Sequence, residues 1–179
     1  GVFDVKSLRC PNGADTGEPS RVTGIENGAL HFDGVNDYVE IPASQALDFA
    51  GSFTLEAWVR RSVPGSADVL VAKEGNAGRT YRLRVTTGDV VELAWKNTAG
   101  ASRTTLGLRK MADGQWHHVA AVHDQEYGED RIYIDGGLDV RRTDTTSPAP
   151  CTDALLCGAR RTTGLKDPLG GDLDLVRLA

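Results

Sequence analysis

Aromatic residues, cysteine and long apolar runs are all scarce in this sequence. Its 179 residues include 3 Trp, 4 Tyr, 4 Phe and 3 Cys. No apolar run approaches the roughly 20 residues that a membrane-spanning helix needs. No long apolar stretch follows the opening residues, as it would in a signal peptide. The length fits a single domain over residues 1–179, large enough to bury a core of its own.

Positive charge is also in short supply. The 20 Lys and Arg residues are outnumbered by 25 Asp and Glu, and the formal net charge is −5. Without a basic cluster, this balance argues against a nucleic-acid partner. The acids are 17 Asp and 8 Glu, and the bases are 15 Arg and 5 Lys. Since Glu and Lys favour helix surfaces while Asp favours turns, the composition favours strands, loops and oxygen-ligand metal sites.

The three cysteines carry no metal or redox motif. Cys10, Cys151 and Cys157 form no C-x-x-C pair, which argues against structural zinc and thioredoxin-like chemistry. One disulfide and one free thiol would account for three cysteines, and any of the three pairings would do so. Alternatively, Cys157 follows an apolar stretch and is a small buried residue of a strand.

Glycine is abundant, and apolar residues alternate with polar ones. The 21 Gly residues lie mostly among Asp, Asn and Ser, between short segments of period-2 alternation. In residues 53–60, for example, Phe53, Leu55, Ala57 and Val59 share one face. About twelve strands are predicted on this pattern, at 29–33, 37–41, 53–60, 68–73, 81–85, 90–96, 102–108, 116–123, 131–135, 138–143, 154–159 and 172–178. Such spacing is typical of an all-β sandwich or barrel.

Four segments resemble the laminin G-like domains of the concanavalin A-like lectins, in the form common in secreted bacterial proteins. They are, in chain order, 28–41 (GALHFDGVNDYVEI), 53–59 (FTLEAWV), 114–120 (GQWHHVA) with 131–136 (RIYIDG), and 171–178 (GDLDLVRL). The resemblance implies a jelly-roll sandwich of two antiparallel sheets, with the first and last strands side by side. It covers residues 28–179, and residues 1–27 are expected to form a lead strand and a loop.

The same resemblance implies a structural calcium ion near the last strand. Its carried-over ligands are Asp174, then Asp33 or Gly34, with a contribution from near Asp4. Calcium takes six to eight oxygen ligands, and backbone carbonyls serve as well as carboxylates. The competing interpretation is that Asp33 caps a turn and that Asp174 is a solvated strand residue.

Catalytic and zinc chemistry find little support. The Glu-x-Asp-x-x-Glu motif of glycoside hydrolases on this type of fold is absent, and so is Gly-x-Ser-x-Gly. His117 and His118 are adjacent, so on a strand they point to opposite faces and are poorly placed to share one ion. The sequence therefore predicts a protein that is not an enzyme.

A polar patch beside one tryptophan is the predicted ligand site. Sugar sites combine an aromatic platform with planar hydrogen-bonding groups. The patch consists of Tyr81, Arg82, Arg84, Trp95 and Lys96, with Asn76 in the adjacent hairpin loop. It would suit an anionic or polyhydroxylated glycan. The alternative is that Trp95, which shares a face with Leu93, belongs to the core. Trp58 and Trp116 are predicted to be packing residues.

These observations predict a secreted or cell-surface carbohydrate-binding module that targets a larger protein to a polysaccharide or glycan. The alternative is a protein-binding or structural adhesion module without a glycan site, because laminin G-like domains do both. Neither nucleic-acid binding nor membrane insertion is expected.

Overall fold

The computed structural model of the chain describes residues 18–26, 28–61, 63–75 and 78–179. Within these ranges a 3₁₀ turn forms at Gln45–Leu47, and the strands are β1 (Ser20–Val22), β2 (Ala29–Asp33), β3 (Val39–Ile41), β4 (Phe53–Arg61), β5 (Asp68–Gly75), β6 (Gly78–Val85), β7 (Val90–Lys96), β8 (Ser102–Lys110), β9 (Trp116–Asp124), β10 (Glu129–Ile134), β11 (Gly137–Thr143), β12 (Leu155–Cys157), β13 (Arg160–Arg161), β14 (Leu165–Lys166) and β15 (Gly170–Leu178).

The strands form two packed antiparallel sheets and one small hairpin. The seven-stranded sheet has the order β1-β2-β15-β4-β9-β10-β11, and the six-stranded sheet has the order β3-β12-β5-β6-β7-β8. Strands β13 and β14 pair only with each other. The all-β class and the predicted jelly-roll sandwich are confirmed, and the last strand lies against β2 near the start of the described chain.

Period-2 alternation determines which side chains enter the core between the sheets. In β4, Phe53, Leu55, Ala57 and Val59 are buried, while the residues between them are half-buried on the outer face. Aromatic packing continues across the core, where the rings of Phe53 and Tyr81 lie 5.8 Å apart. The non-local pairing of strands is therefore driven by one shared apolar layer.

A polar cluster crosses the core and links the two sheets. Asp130 on β10 is fully buried and accepts hydrogen bonds from Trp95 Nε1 at 3.3 Å and Thr105 Oγ1 at 2.9 Å, both on the six-stranded sheet. Nδ1 of His123, on β9, lies 2.8 Å from the other Asp130 oxygen. Because a buried carboxylate is costly unless its oxygens are hydrogen-bonded, this cluster fixes how one sheet sits on the other.

The last strand approaches its neighbours closely because of glycine. Gly171 has φ +156°, and a Cβ there would collide with the Arg60 carbonyl of β4. Further along β15 a bulge interrupts the pairing with β4 between Asp174 and Arg177. Leu175 lies within this bulge with φ +49°. Asp174 faces outward by simple alternation with the core residue Leu173, and the bulge shifts the alternation so that Val176 and Leu178 face the core again.

The structure excludes one of the three possible disulfide pairings. Cys151 and Cys157 are both buried free thiols, so the pairing of these two is wrong. Burial alone raises the pKa of Cys157 to about 12, as expected for an inert core thiol. Cys10 lies outside the described residues.

Among the described residues there is no helix long and apolar enough to span a membrane.

Candidate functional site

The outer face of the six-stranded sheet carries a closed circuit of alternating guanidinium and carboxylate groups. The alternation that sends Tyr81 and Leu83 of β6 inward turns Arg82 and Arg84 outward. We call this circuit the ion-pair ring, and its six members in order are Glu74, Arg82, Glu92, Arg84, Asp167 and Arg160.

Arg82 is the most buried arginine of the ring. Its two terminal nitrogens donate to Glu74 at 2.8 Å and to Glu92 at 2.9 Å. Arg84 donates two parallel hydrogen bonds to Glu92, at 2.8 and 2.9 Å. Such two-bond pairs between arginine and a carboxylate are stronger than neutral hydrogen bonds, and they fix the orientation of both groups.

The hairpin of β13 and β14 closes the ring from above the sheet. Arg160 Nε donates to Asp167 at 2.7 Å, and Arg160 Nη1 reaches Glu74 at 3.4 Å. Asp167 also accepts from Arg84 at 3.3 Å. With Arg79, which donates to Glu74 at 2.7 Å, the assembly holds four guanidinium groups and three carboxylates, a net charge of +1.

Both glutamates of the ring are held ionised. Burial raises the pKa of Glu74, but the hydrogen bond from Arg79 and the neighbouring guanidinium charges outweigh it and hold the pKa below its usual value. The pKa of Glu92 is lowered in the same way, as hydrogen bonds from Arg84 and Arg82 overcome desolvation. Neither group carries a proton at neutral pH, so this pair does not supply the raised-pKa acid of a glycoside hydrolase.

The rim of the ring remains accessible to solvent. The side chains of Arg84, Arg160 and Asp167 are each about one-fifth exposed, whereas that of Arg82 is only 7% exposed. Beside the rim, a small pocket of about 90 Å³ lies between Glu74 and the hairpin. The surface therefore presents fixed edges of planar hydrogen-bonding groups rather than an apolar groove.

The structure corrects two members of the predicted sugar patch. Trp95 and Tyr81 are fully buried core residues, so neither is a platform for a sugar. Trp95 points inward because it lies two residues from Leu93 on β7, and Asp130 satisfies its indole N–H there. Arg82 and Arg84 do lie together as predicted. Lys96 is half-buried at the end of β7 on their face of the sheet, and Asn76 lies outside the described residues.

The other two tryptophans are also placed differently from the prediction. Trp58 and Trp116 are half-buried on the outer face of the seven-stranded sheet, not packed in the core. The ring of Trp58 lies 5.3 Å from that of His118. A signal for this was present in the sequence, because Trp58 falls between the inward-facing residues Ala57 and Val59 and must point the other way.

The predicted calcium ligands are not brought to one place. Gly170 is the strand partner of Asp33, and Asp174 lies four residues further along β15, about 14 Å away at 3.4 Å per residue. Asp33 caps its own turn by accepting from Val35 N at 2.8 Å. Gly34 has φ +78° and lies against Gly170, which explains glycine at this turn without a metal.

Asp174 accepts hydrogen bonds from three backbone N–H groups of the described residues. One of its oxygens accepts from Ile25 N at 2.9 Å and Glu26 N at 3.2 Å, and the other accepts from Leu175 N at 2.8 Å. Because of their separation along β15, Asp174 does not share a calcium site with Asp33 and Gly34. Asp4, near which a further ligand was expected, lies outside the described residues.

Histidine-based metal binding is likewise unsupported in the described ranges. His117 lies between two carboxylates, with Nδ1 2.9 Å from Asp135 and Nε2 3.1 Å from Asp113. His118 points to the opposite face, as expected for adjacent strand residues. No group of three or more His, Cys, Asp or Glu side chains in metal-binding geometry occurs among the residues that the structure describes.

Sequence reasoning missed four ring members, namely Glu74, Glu92, Arg160 and Asp167. The nearest signal was the alternation in β6 and β7, since it places Glu92 on the same face as Arg84. Nothing local could have joined Asp167 to Arg84, because 83 positions separate them. Their contact depends on where the β13–β14 hairpin folds over the sheet.

Solved structures share this architecture at low sequence identity. The binding domain of botulinum neurotoxin serotype G aligns with a TM-score of 0.69 and 12% identity, over 92% of this chain and 42% of that one. The chain thus spans less than half of the toxin binding domain. No curated protein is significantly similar in sequence to this chain.

Two carbohydrate-binding structures align over most of their own length. The CBM40 of the Ruminococcus gnavus IT-sialidase gives a TM-score of 0.64 and 15% identity, over 79% of this chain and 88% of that one. Domain 4 of an extracellular arabinanase from Geobacillus stearothermophilus, in complex with arabinotriose, gives 0.63 and 18%, over 90% and 75%. At these identities the likeness shows a common fold.

Family membership follows from the sequence itself. The model of the concanavalin A-like lectin/glucanases superfamily, in its laminin G form, matches residues 33–179. The match covers every strand from β3 onward, and with them the ion-pair ring and the closing strand β15. The chain therefore belongs to the concanavalin A-like lectin/glucanase superfamily.

Proposed function

We propose that this chain is a non-catalytic carbohydrate-binding module that recognises glycan at the rim of the ion-pair ring. The observation that carries the proposal is the partly exposed, rigidly held set of Arg84, Arg160 and Asp167. Sugar hydroxyls both donate and accept, so they pair well with guanidinium and carboxylate edges that are already fixed in position.

Charge favours a glycan that carries a carboxylate. The ring and Arg79 have a net charge of +1, and Lys166 on β14 is the strand partner of Arg160. This local excess of positive charge stands on a chain of net charge −5. An acidic sugar would gain charge-assisted hydrogen bonds at the rim, while a neutral sugar would gain only hydroxyl contacts.

Relatives of similar fold support this proposal by what they bind. The R. gnavus CBM40 has been solved with α2,3-sialyllactose, and the arabinanase domain has been solved with arabinotriose. Both are modules of extracellular or glycan-directed enzymes. By analogy we place this chain in a secreted or cell-surface protein, where it would hold a larger assembly on polysaccharide.

Titration calorimetry with 3′-sialyllactose and lactose tests the proposal, after a glycan array has been screened for acidic and neutral ligands. We expect the acidic sugar to bind more tightly, and Arg160→Gln to weaken it by about tenfold or more. Arg177→Gln is the matched control, because Arg177 is a half-exposed arginine paired with Glu56 on the other sheet. Failure of every glycan to bind folded protein would sink the proposal.

A protein-binding role is the second candidate, and one observation favours it. Leu106 and Leu108 on the edge strand β8 are 50% and 75% exposed, which is unusual for neighbouring leucines on one strand face. If glycan binding fails while the protein stays folded, this apolar edge becomes the surface to test for a protein partner.

A further inference from the structure

A second and larger concavity lies on the outer face of the other sheet. We call it the seven-strand cleft. It has a volume of about 540 Å³, and its walls include Val22, Val63, Gly114 and Gly170. This volume falls within the range of small-molecule sites. The cleft belongs to the opposite layer of the sandwich from the ion-pair ring, so the two surfaces share no residue.

A polar row crosses four neighbouring strands at the cleft. Strand register places Asp172 of β15 directly between His31 of β2 and Arg60 of β4, and it places Arg60 opposite Trp116 of β9. Asp172 is 2.7 Å from His31 Nδ1 and 2.6 Å from Arg60 Nε. The side chain of Asp172 is only 8% exposed, whereas those of His31 and Arg60 are 48% and 39% exposed.

Arg60 is fixed on two sides and presents its remaining edge to the cleft. Its Nε is used by Asp172, and its guanidinium carbon lies 5.1 Å from the centre of the Trp116 ring. A guanidinium that is stacked and hydrogen-bonded in this way loses little further freedom on binding. Within the part of the chain that the structure describes, its terminal nitrogens have no protein hydrogen-bond partner.

Charge distinguishes the cleft from the ring. The carboxylate of Asp172 offsets the charge of Arg60 at hydrogen-bond distance, so the row offers donors without a net positive charge. The side chains of Val22 and Val63 supply apolar surface next to these donors. A neutral pyranose or furanose has the same two kinds of surface, with C–H faces and hydroxyl edges.

We infer that the seven-strand cleft is a second saccharide-binding site, specific for a neutral sugar with two adjacent hydroxyl groups. The two hydroxyl oxygens accept from the terminal N–H groups of Arg60, while the apolar walls cover a sugar face. The planar fork of arginine matches a vicinal diol as it matches a carboxylate. The inference stands independently of the proposed function of the ion-pair ring.

Arabinotriose and maltotriose are the probes for this site, added at millimolar concentrations to ¹⁵N-labelled protein. In ¹H–¹⁵N spectra we expect shifts of the Arg60 Nε–H resonance and of the Gly170 and Gly171 amides with at least one of the two sugars. Arg60→Lys keeps the charge and loses the fork, and it should weaken binding by about tenfold or more.

Two further variants separate the cleft from the ring. Arg177→Gln, on the same sheet face, and Arg160→Gln, in the ring, should both leave neutral-sugar affinity at the cleft unchanged. The inference is overturned if neither sugar shifts the cleft resonances, if the shifts are confined to the ring, or if Arg60→Lys binds as tightly as the native protein. Failure at the ring alone, with cleft shifts retained, counts against the proposed function and not against this site.

Discussion

Replacement of Arg82 by methionine is the sharpest test of how the ion-pair ring stabilises the protein. The Arg82 side chain is 7% exposed and donates to two carboxylates that are equally buried. Methionine keeps most of the apolar stem and removes only the guanidinium. The variant therefore separates loss of charge pairing from loss of packing.

The magnitude follows from what each carboxylate keeps. Removing one partner of a buried ion pair generally costs about 3–5 kcal/mol, because the other charge is left uncompensated. Here Glu74 retains Arg79, and Glu92 retains the two bonds from Arg84. Each carboxylate keeps an arginine partner, so we expect a loss at the lower end of this range, about 3 kcal/mol of unfolding free energy at pH 7.

Urea denaturation followed by tryptophan fluorescence measures this loss. The midpoint should fall with little change in the slope of the transition, as expected when stability changes but the exposed surface does not. Arg177→Met is the control, since an exposed pair contributes at most about 1 kcal/mol. A loss below about 1 kcal/mol for Arg82→Met would refute the view that the ring is a coupled, buried network.

Four further outcomes are expected. The folded-state pKa values of Glu74 and Glu92 are lowered. Their ionised forms therefore stabilise the fold above a pH of about 4.5, and this contribution is lost as the pH falls through the lower folded values. Glu92→Gln should flatten the acid side of a plot of unfolding free energy against pH. Trp95→Ala should cost about 3–5 kcal/mol in urea denaturation, because the side chain fills the core; a loss below 1 kcal/mol would show that the indole is not buried. EDTA should leave the thermal midpoint unchanged, since Asp174 lies well away from Asp33 and Gly34 along β15; a drop of several degrees would reveal a bound metal. A thiol reagent should label Cys157 only after unfolding, given its burial and raised pKa, and rapid labelling of the folded protein would contradict that.

The strands were predictable because their signal is local. In β4, alternation alone assigns Phe53 and Leu55 to the core and Trp58 to the outer face, and the structure agrees with that pattern. The prediction of Trp58 and Trp116 as packing residues was wrong because residue type was given more weight than register. For Trp95 the prediction of a sugar platform was wrong, and the alternative that its shared face with Leu93 places it in the core is confirmed.

The candidate sites were less predictable because their members come from distant parts of the chain. Arg82 and Arg84 could be placed together from the sequence, since they are two residues apart on one strand. Their partner Asp167 reaches them only through the hairpin that folds over the sheet. In the same way, the polar row of the cleft exists only because β15 inserts between β2 and β4.

By itself, the sequence determined the class of the protein. Short alternating segments and glycine-rich turns indicate an all-β sandwich or barrel, because each segment has one apolar face to bury, and the resemblance to laminin G-like domains implied the two-sheet jelly roll. The tertiary structure alone decided what the polar residues do. Strand order joined Arg82 to Glu74 and Glu92 in a ring, and it set Asp172 between His31 and Arg60. The physical reason is that hydrophobic periodicity specifies which face is buried, whereas ion pairs and ligand sites depend on which strands become neighbours.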